Sequence, residues 1–293
     1  MNTAKKAISI LLALALVCAL GAAAASAEYG GGTKFVVLGD SIAAGEGASD
    51  RATKSYAALI AAEKGFGLEN FAVGGHDSDD LLALLDENGD AVQAIRDADI
   101  INLSIGGNDL LHTNVITLVL RVLLGEEDAA DEHIESFAAN FAVIVERIQA
   151  LNPDALFVVQ TLYNSMEGVP LVAGAYEVVV VRLNRVYRDY LEANPGAYVL
   201  ADVYGAFKAE DRGGQGHVFP DKVHPSDAGH ALIARLVTAA IDDTEPGLEP
   251  VPGPDPGFLR QVVIFLRALV DYLGYWLTIY TPLELLRQAL SFI

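Results

Sequence analysis

The chain has 293 residues, a single cysteine and a formal net charge of −20. That length suits one large domain or two small ones, and the strong negative charge argues against binding to nucleic acid and against attraction to anionic lipid surfaces. Because the one cysteine is Cys18, close to the N-terminus, no disulfide, thiol nucleophile or thiolate metal site is expected in the rest of the chain.

Residues 1–27 have the pattern of a secretory signal peptide. Lys5 and Lys6 give a basic start, an apolar run extends from Ile8 to Leu20, and Ala25-Ser26-Ala27 places small residues at a cleavage position. The apolar run is shorter than a membrane-spanning helix requires. We therefore expect cleavage after Ala27 and a protein that is secreted or associated with the cell envelope. A retained membrane anchor is the alternative.

Short apolar runs typical of buried strands alternate with helical patterns along residues 28–243, which are expected to form one domain. The predicted strands are Phe35–Leu38, Leu68–Val73, Asp99–Ile105, Ala155–Leu162 and Tyr198–Val203. The predicted helices are Lys54–Lys64, Asp79–Leu85, Ile134–Leu151, Ala175–Ala193 and Ala228–Ile241. This alternation predicts an α/β fold, a flavodoxin-like three-layer α/β/α sandwich with a five-stranded parallel sheet. In such sheets, sites form beyond the carboxyl ends of the strands.

The composition changes after Asp243. Residues 244–257 contain five prolines and three glycines, which predicts a linker. Residues 258–293 form a predicted amphipathic helical tail, and Arg267 and Asp271 in its middle argue against a membrane span. The tail is expected to pack on the body of the protein, to lie in a membrane interface or to bind another chain, and these alternatives stay open.

The first strand runs directly into Gly39-Asp40-Ser41. A serine at the end of a central strand can project its hydroxyl into the cleft above the sheet, so Ser41 is a candidate nucleophile. Gly, Asp and Ser are also ordinary turn formers, and the tripeptide by itself favours a structural turn.

A candidate base and a candidate orienting acid lie before the last predicted helix, where Asp221 precedes His224 by three residues. In a turn, this spacing can bring the carboxylate to one imidazole nitrogen while the other nitrogen faces Ser41, as a serine hydrolase requires. Pro225 restricts His224 to an extended backbone. The alternative is a loop with a capping Asp221 and a solvent-exposed His224.

Two more polar turns follow the second and third predicted strands, Asn70–Gly75 and Gly106–Asp109. They supply candidate donors to an oxyanion, which are the backbone N–H of Gly75 and the side-chain amide of Asn108, together with the backbone N–H of Ser41. Ordinary turn chemistry explains each of these segments when it is taken singly.

Taken together, these four segments resemble the four blocks that mark the GDSL, or SGNH, family of esterases and lipases, and the resemblance covers roughly residues 33 to 241. It implies the SGNH hydrolase fold and ester hydrolysis by Ser41, with His224 as the base and Asp221 as the acid that orients it. It also implies an oxyanion hole formed by Ser41, Gly75 and Asn108, without a metal or another cofactor.

One departure from the family pattern is His76-Asp77-Ser78 after the second block, where His76 is expected at the rim of the site and not in catalysis. His230 falls in the last predicted helix and is expected to pack in the interior or lie on the surface.

The resemblance implies an ester substrate, either a small molecule or a lipid, but the four blocks do not select one. Two apolar segments favour a lipase or lysophospholipase type of esterase. They are Leu110–Leu124, which begins directly after Asn108 near the predicted cleft, and Val169–Val172 in a predicted loop. Ordinary burial of both segments is the alternative. Two other hypotheses are a carbohydrate O-acetyl esterase and a non-catalytic envelope-binding protein that contacts a membrane surface or a protein through residues 258–293.

Overall fold

The computed structural model describes residues 29–86, 89–111, 118, 121–122, 126, 128–166, 170–210 and 223–244. Asp221, the expected signal peptide, the tail and all of the linker except Thr244 lie outside the described residues, so the expected domain boundaries remain predictions. Within the described part of the chain, no helix is both long enough and apolar enough to cross a membrane.

Five parallel strands form a single sheet in the order β2-β1-β3-β4-β5. The strands are β1 Lys34–Gly39, β2 Gly67–Asn70, β3 Ile100–Ser104, β4 Leu156–Gln160 and β5 Val199–Ala201. Phe35 of β1 lies opposite Leu68 of β2 on one side and Ile100 of β3 on the other. The predicted flavodoxin-like sheet is confirmed. The order of strands reverses between β1 and β3, and a crevice for a ligand forms at such a reversal.

Helices cover both faces of this sheet. They are α1 Arg51–Lys54, α2 Tyr56–Lys64, α3 Ser78–Asp86, α4 Asp90–Asp97, α5 Gly107–Leu111, α6 Asp131–Leu151, α7 Pro170–Ala193, α8 Val203–Glu210 and α9 Asp227–Asp242. The predicted helix Lys54–Lys64 is interrupted at Ser55, whose extended backbone ends α1 and whose side chain accepts a hydrogen bond from Ala58 N–H at the start of α2. Neither α4 nor α8 was expected from the sequence.

The long helix α7 begins at Pro170, before its predicted start at Ala175. The expected loop at Val169–Val172 is therefore wrong for Pro170 to Val172, and Val169 lies outside the described residues. Proline suits the first turn of a helix because its fixed φ is helical and its missing N–H would have no partner there.

Alternate strand residues point to opposite faces of the sheet and fill two separate core clusters. Leu38 and Leu103 pack in the cluster formed with α3, α4, α6 and α7, whereas Phe35, Val37 and Ile100 pack in the cluster formed with α2, α8 and α9. All five side chains are completely buried. Burial on both faces explains why these strands appear as continuous apolar runs in the sequence.

The apolar segment after Asn108 is described only in part. Leu110, Leu118 and Val122 are buried in the cluster that contains α6 and α7. These described members therefore have the ordinary burial that the sequence left open as the alternative to lining an acyl pocket.

Candidate active site

Ser41 lies in the turn that leaves the carboxyl end of β1, next to β3. The turn begins as a continuation of the ladder, because Asp40 N–H donates to the Ser104 carbonyl at 3.0 Å. The Asp40 carboxylate then accepts a hydrogen bond from Ile42 N–H at 3.0 Å. Such a short-range bond from an aspartate to the backbone two residues later fixes a tight turn, and here it holds Ser41 at its middle.

His224 brings an imidazole to this serine from the segment before α9. Its Nε2 lies 3.0 Å from Ser41 Oγ, and both side chains are buried. Ser226 caps α9 by accepting a hydrogen bond from Gly229 N–H, and the Tyr163 hydroxyl donates to the Val223 carbonyl. The segment is thus held on both sides of His224. A hydroxyl within hydrogen-bond distance of an imidazole is the arrangement of a nucleophile and its general base.

Gly47 allows the His224 segment to lie against the turn after Ser41. Its φ is +87°, and a Cβ at this position would lie 2.2 Å from the Pro225 carbonyl oxygen and 2.8 Å from the Cβ of His224. A side chain here would therefore be excluded by both the backbone conformation and the lack of space.

The segment after β2 is held against the turn that carries Ser41. Asn70 Nδ2 donates to the Ala43 carbonyl at 2.8 Å, and Val73 N–H donates to the Gly39 carbonyl at 3.0 Å. Gly75 lies further along the same segment. Its φ is +86°, and the space that a Cβ would occupy is open.

Asn108, in the first turn of α5, connects the segment after β3 to the segment after β2. Its Nδ2 donates to the His76 carbonyl at 2.8 Å. Because a side-chain amide nitrogen carries two hydrogens, the second can be offered to a substrate oxygen. The His76 side chain is partly exposed, in keeping with the expected position at the rim.

The structure therefore brings together the predicted segments that contain Ser41, Gly75, Asn108 and His224. Within the part of the chain that the structure describes, the backbone N–H groups of Ser41 and Gly75 donate to no protein acceptor. Asp221 lies outside the described residues, so its contact with His224 remains a prediction.

Two acidic residues of these segments are Asp40, which is buried, and Asp109, which is partly exposed. Burial raises the pKa of Asp40 to about 7, although hydrogen bonds from the N–H groups of Ile42 and Ala43 oppose the increase. Burial also raises the pKa of Asp109, which accepts hydrogen bonds from the N–H and the hydroxyl of Ser78 at the start of α3. Asp109 thereby connects the segment after β3 to the start of α3, whereas the hydrogen bonds of Asp40 lie within the turn after β1.

Glu46 is a residue of the site to which the sequence analysis gave no role. Its Oε2 lies 3.3 Å from His224 Nε2, and its Oε1 lies 3.6 Å from Arg51 Nη2. The side chain is 25% exposed. The signal in the sequence is an acidic residue between two glycines, Gly45-Glu46-Gly47, directly after the candidate nucleophile.

His230 packs in the interior, as one of the two sequence expectations allowed, and supports the backbone of Glu46. Its Nδ1 lies 3.3 Å from Tyr56 N–H, and its Nε2 lies 2.9 Å from the Glu46 carbonyl. Because Tyr56 N–H can only donate, Nδ1 accepts and the proton lies on Nε2. Burial lowers the pKa of His230, which favours this neutral form.

Comparison with known proteins identifies a protein family for this chain and solved structures with the same fold. A model of the GDSL-like lipase/acylhydrolase family matches residues 37–232. A protein of Bacillus subtilis (strain 168), called uncharacterized protein YpmR, is 27% identical over 219 residues, which cover 71% of this chain and 80% of that protein.

Several solved structures share the three-layer fold. The lipase Lip_vut3 from a goat rumen metagenome is 24% identical with a TM-score of 0.57, over 71% of this chain and 97% of its own. Phospholipase A1 from Streptomyces albidoflavus NA297 is 21% identical with a TM-score of 0.58, over 72% and 99%. The acetylxylan esterase Axe2 from Geobacillus stearothermophilus is 21% identical with a TM-score of 0.52, over 76% and 97%.

The match to the family model extends over all four predicted segments, from Ser41 to His224. The solved structures agree with the predicted SGNH hydrolase fold. The chain is a carboxylic ester hydrolase and belongs to the GDSL-like lipase/acylhydrolase family.

Proposed function

We propose that the chain is a secreted serine esterase of lipase or lysophospholipase type, which hydrolyses acyl esters through an acyl-enzyme on Ser41. The observation that carries the proposal is the 3.0 Å distance between Ser41 Oγ and His224 Nε2 beyond the carboxyl end of β1. Membership of an acylhydrolase family supports the same chemistry. Secretion rests on the signal-peptide pattern of residues 1–27.

In this mechanism, His224 Nε2 takes the proton from Ser41 as Oγ attacks the ester carbonyl carbon. The resulting imidazolium gives the proton to the leaving alcohol when the bond between carbon and the alcohol oxygen breaks. Water then attacks the acyl-enzyme with His224 again as the base, and the acid and free Ser41 are released. Asp221 holds the imidazole in the required tautomer and stabilises its charged form.

The oxyanion that forms in each half-reaction is held by the backbone N–H groups of Ser41 and Gly75 and by the side-chain amide of Asn108. The bond from Asn108 to the His76 carbonyl fixes the amide before substrate arrives. A donor that is already in position stabilises the transition state by about 3 kcal/mol.

A carbohydrate O-acetyl esterase is the second candidate, and the Glu46 carboxylate is the observation that favours it. A charged acceptor 3.3 Å from His224 Nε2 makes this side of the site polar. The described members of the apolar segment after Asn108 are buried in the core, which reduces the support for a lipid-binding wall.

Hydrolysis of p-nitrophenyl esters, from acetate to a long acyl chain, tests the mechanism and the acyl preference. We expect Ser41→Ala and His224→Ala each to lower kcat by about 10⁴-fold or more, and the double variant to be no worse, because the two residues act as a unit. Activity confined to acetate would favour the carbohydrate esterase. Activity that survives in Ser41→Ala would contradict the proposal, as would a folded wild-type chain that cleaves no ester.

The expected secretion has its own test. When the full chain is expressed in a bacterial host, we expect it outside the cytoplasm, with Glu28 as its first residue in N-terminal sequencing. An uncleaved chain in the membrane fraction would support the retained anchor instead.

A further inference from the structure

The Glu46 carboxylate lies beside the reacting pair without a role in the mechanism above. Its Oε2 is 3.3 Å from His224 Nε2, the same nitrogen that lies 3.0 Å from Ser41 Oγ. Glu46 is therefore on the side of the imidazole from which protons are exchanged with the substrate.

The backbone holds Glu46 in this position from both sides. Its N–H donates to the Ser41 carbonyl at 2.9 Å, and its carbonyl lies 2.9 Å from Nε2 of the buried His230. The carboxylate also occupies space next to Gly74, where a Cβ would lie 2.3 Å from Glu46 Oε1. The main chain of Glu46 is thus fixed, and its carboxylate lies between His224 and the segment that carries Gly75.

The distance from His224 locates Glu46 relative to the leaving group. In the proposed mechanism, His224 Nε2 protonates the leaving oxygen, which must come within about 3 Å of that nitrogen. Since Oε2 is 3.3 Å from the same nitrogen, the carboxylate lies within about 6 Å of the leaving oxygen. A hydroxyl on a neighbouring carbon of the alcohol can therefore reach it with a hydrogen bond.

The charge of Glu46 itself has little compensation. Arg51 lies 3.6 Å from Glu46, but the Arg51 side chain is 61% exposed. An exposed cation neutralises a neighbouring charge only weakly because water screens it. A leaving group that carries its own negative charge is disfavoured in this environment.

We propose that Glu46 determines specificity for the leaving alcohol by accepting a hydrogen bond from a hydroxyl next to the scissile ester oxygen. The substrate class is then partial esters of polyols, such as glycerol or a sugar, in preference to esters of simple or anionic alcohols. This inference rests on the proposed function of Ser41 and His224, and it holds for either a long acyl chain or an acetyl group.

Two pairs of butyrate esters with one common acyl group test the inference. Glycerol 1-butyrate and propyl butyrate differ by two hydroxyls on a three-carbon alcohol, and ethyl butyrate and O-butyryl glycolate differ by a carboxylate. The readout is the ratio of kcat/KM within each pair, because a general loss of activity cancels in it. Wild type is expected to prefer the glycerol ester and the ethyl ester.

Three variants separate the hydrogen bond from the charge. Glu46→Ala removes the acceptor, and we expect it to lower the preference for the glycerol ester by about 10-fold or more, since a hydrogen bond to a charged group is lost. Glu46→Gln keeps an acceptor oxygen without the charge, so it should retain part of that preference and cleave the glycolate ester relatively faster. Glu63→Gln changes the charge equally at an exposed position of α2 and should leave both ratios as in wild type.

The outcomes distinguish this inference from the function on which it rests. Ratios that stay the same in Glu46→Ala, or a wild type without preference for the glycerol ester, would overturn the inference while Ser41-dependent hydrolysis leaves the proposed function intact. A folded wild type that cleaves none of the four esters and no p-nitrophenyl ester would overturn the proposed function, and the inference with it.

Discussion

At the scale of single residues, buried polar side chains hold the turns around Ser41 through hydrogen bonds to the backbone. Asp40 closes the turn through Ile42 N–H, and His230 holds the Glu46 carbonyl. Burial raises the pKa of Asp40 and lowers the pKa of His230, so each group is pushed towards its neutral form. Both residues consequently make stability depend on pH, in opposite directions.

Asp40 gives the clearest pH prediction. Its pKa is about 7 in the folded protein and near its ordinary value of 3.8 in the unfolded chain. From pH 4 to pH 7 the unfolded chain has lost a proton that the folded protein keeps, so the free energy of unfolding falls as pH rises and then levels off. The total decline from this residue is about 4 kcal/mol, at about 1.4 kcal/mol for each pKa unit.

Asp40→Asn cannot titrate and is expected to remove this decline. Urea unfolding at several pH values between 4 and 8 measures it, as the difference between the variant and wild type. His230 lowers the stability of both proteins equally as pH falls below about 6.5. Its effect therefore cancels in the difference between the variant and wild type. Asp154→Asn, at an exposed position after α6, is the control. Parallel curves for Asp40→Asn and wild type would contradict the prediction.

At the scale of elements, the site is a meeting of segments that leave the carboxyl ends of strands. The turn after β1, the turn after β2 and the start of α5 after β3 are joined by hydrogen bonds from Asn70 and Asn108. The segment before α9 is held at this site by the hydrogen bond from the Tyr163 hydroxyl to the Val223 carbonyl. It also packs closely against Gly47. Small changes at these junctions should affect catalysis more than stability.

Gly47→Ala tests the junction between the turn after β1 and the His224 segment. A methyl group would contact the Pro225 carbonyl and the Cβ of His224, so the segment must move away from Ser41. A shift of about 1 Å near the reacting groups lowers the rate by about 100-fold. We expect at least that loss in kcat/KM, with a cost of roughly 1–3 kcal/mol in stability from strain.

Gly196→Ala is a matched control, since Gly196 has nearly the same φ, +85°, but open space around its Cα. It should lose a similar amount of stability through backbone strain and keep the kcat/KM of wild type. Urea unfolding and ester hydrolysis, measured on both variants, test this prediction. Equal effects of the two substitutions on kcat/KM would show that the contact with His224 is unimportant.

At the scale of the whole molecule, the described members of both core clusters lie within residues 29–244. The last helix, α9, is also finished there, because Asp243 N–H and Thr244 N–H both donate to the Ala239 carbonyl. We predict that the sheet and its two layers of helices form without residues 245–293.

A chain that ends at Thr244 is accordingly expected to fold and to hydrolyse a water-soluble ester with the kcat/KM of the full chain. Thermal unfolding and ester kinetics on the two chains check this expectation. Sedimentation of both chains with lipid vesicles tests whether the tail lies in a membrane interface. A lower unfolding midpoint in the shortened chain would instead show that the tail packs on the body.

The sequence was sufficient for the sheet and the long helices, because their signals are local and strong. Buried parallel strands appear as apolar runs, and helices such as α6 show a clear 3.6-residue period. The predicted strands at Leu68–Val73 and Ala155–Leu162 extend beyond β2 and β4, although Phe71 N–H and Val73 N–H still donate to the Val37 and Gly39 carbonyls of β1. The short helices α4 and α8 were missed because eight residues give only two turns of pattern.

The family was also evident from the sequence, since four separated segments carry the residue types that ester hydrolysis needs. The sequence by itself determined the succession of the five strands along the chain and the candidate nucleophile and base. Only the tertiary structure decided which other groups lie beside them. Ser41 and His224 are 183 residues apart, and His230 holds Glu46 across 184. Contacts over such separations depend on the packing of the whole sheet, and no local pattern in the sequence encodes them.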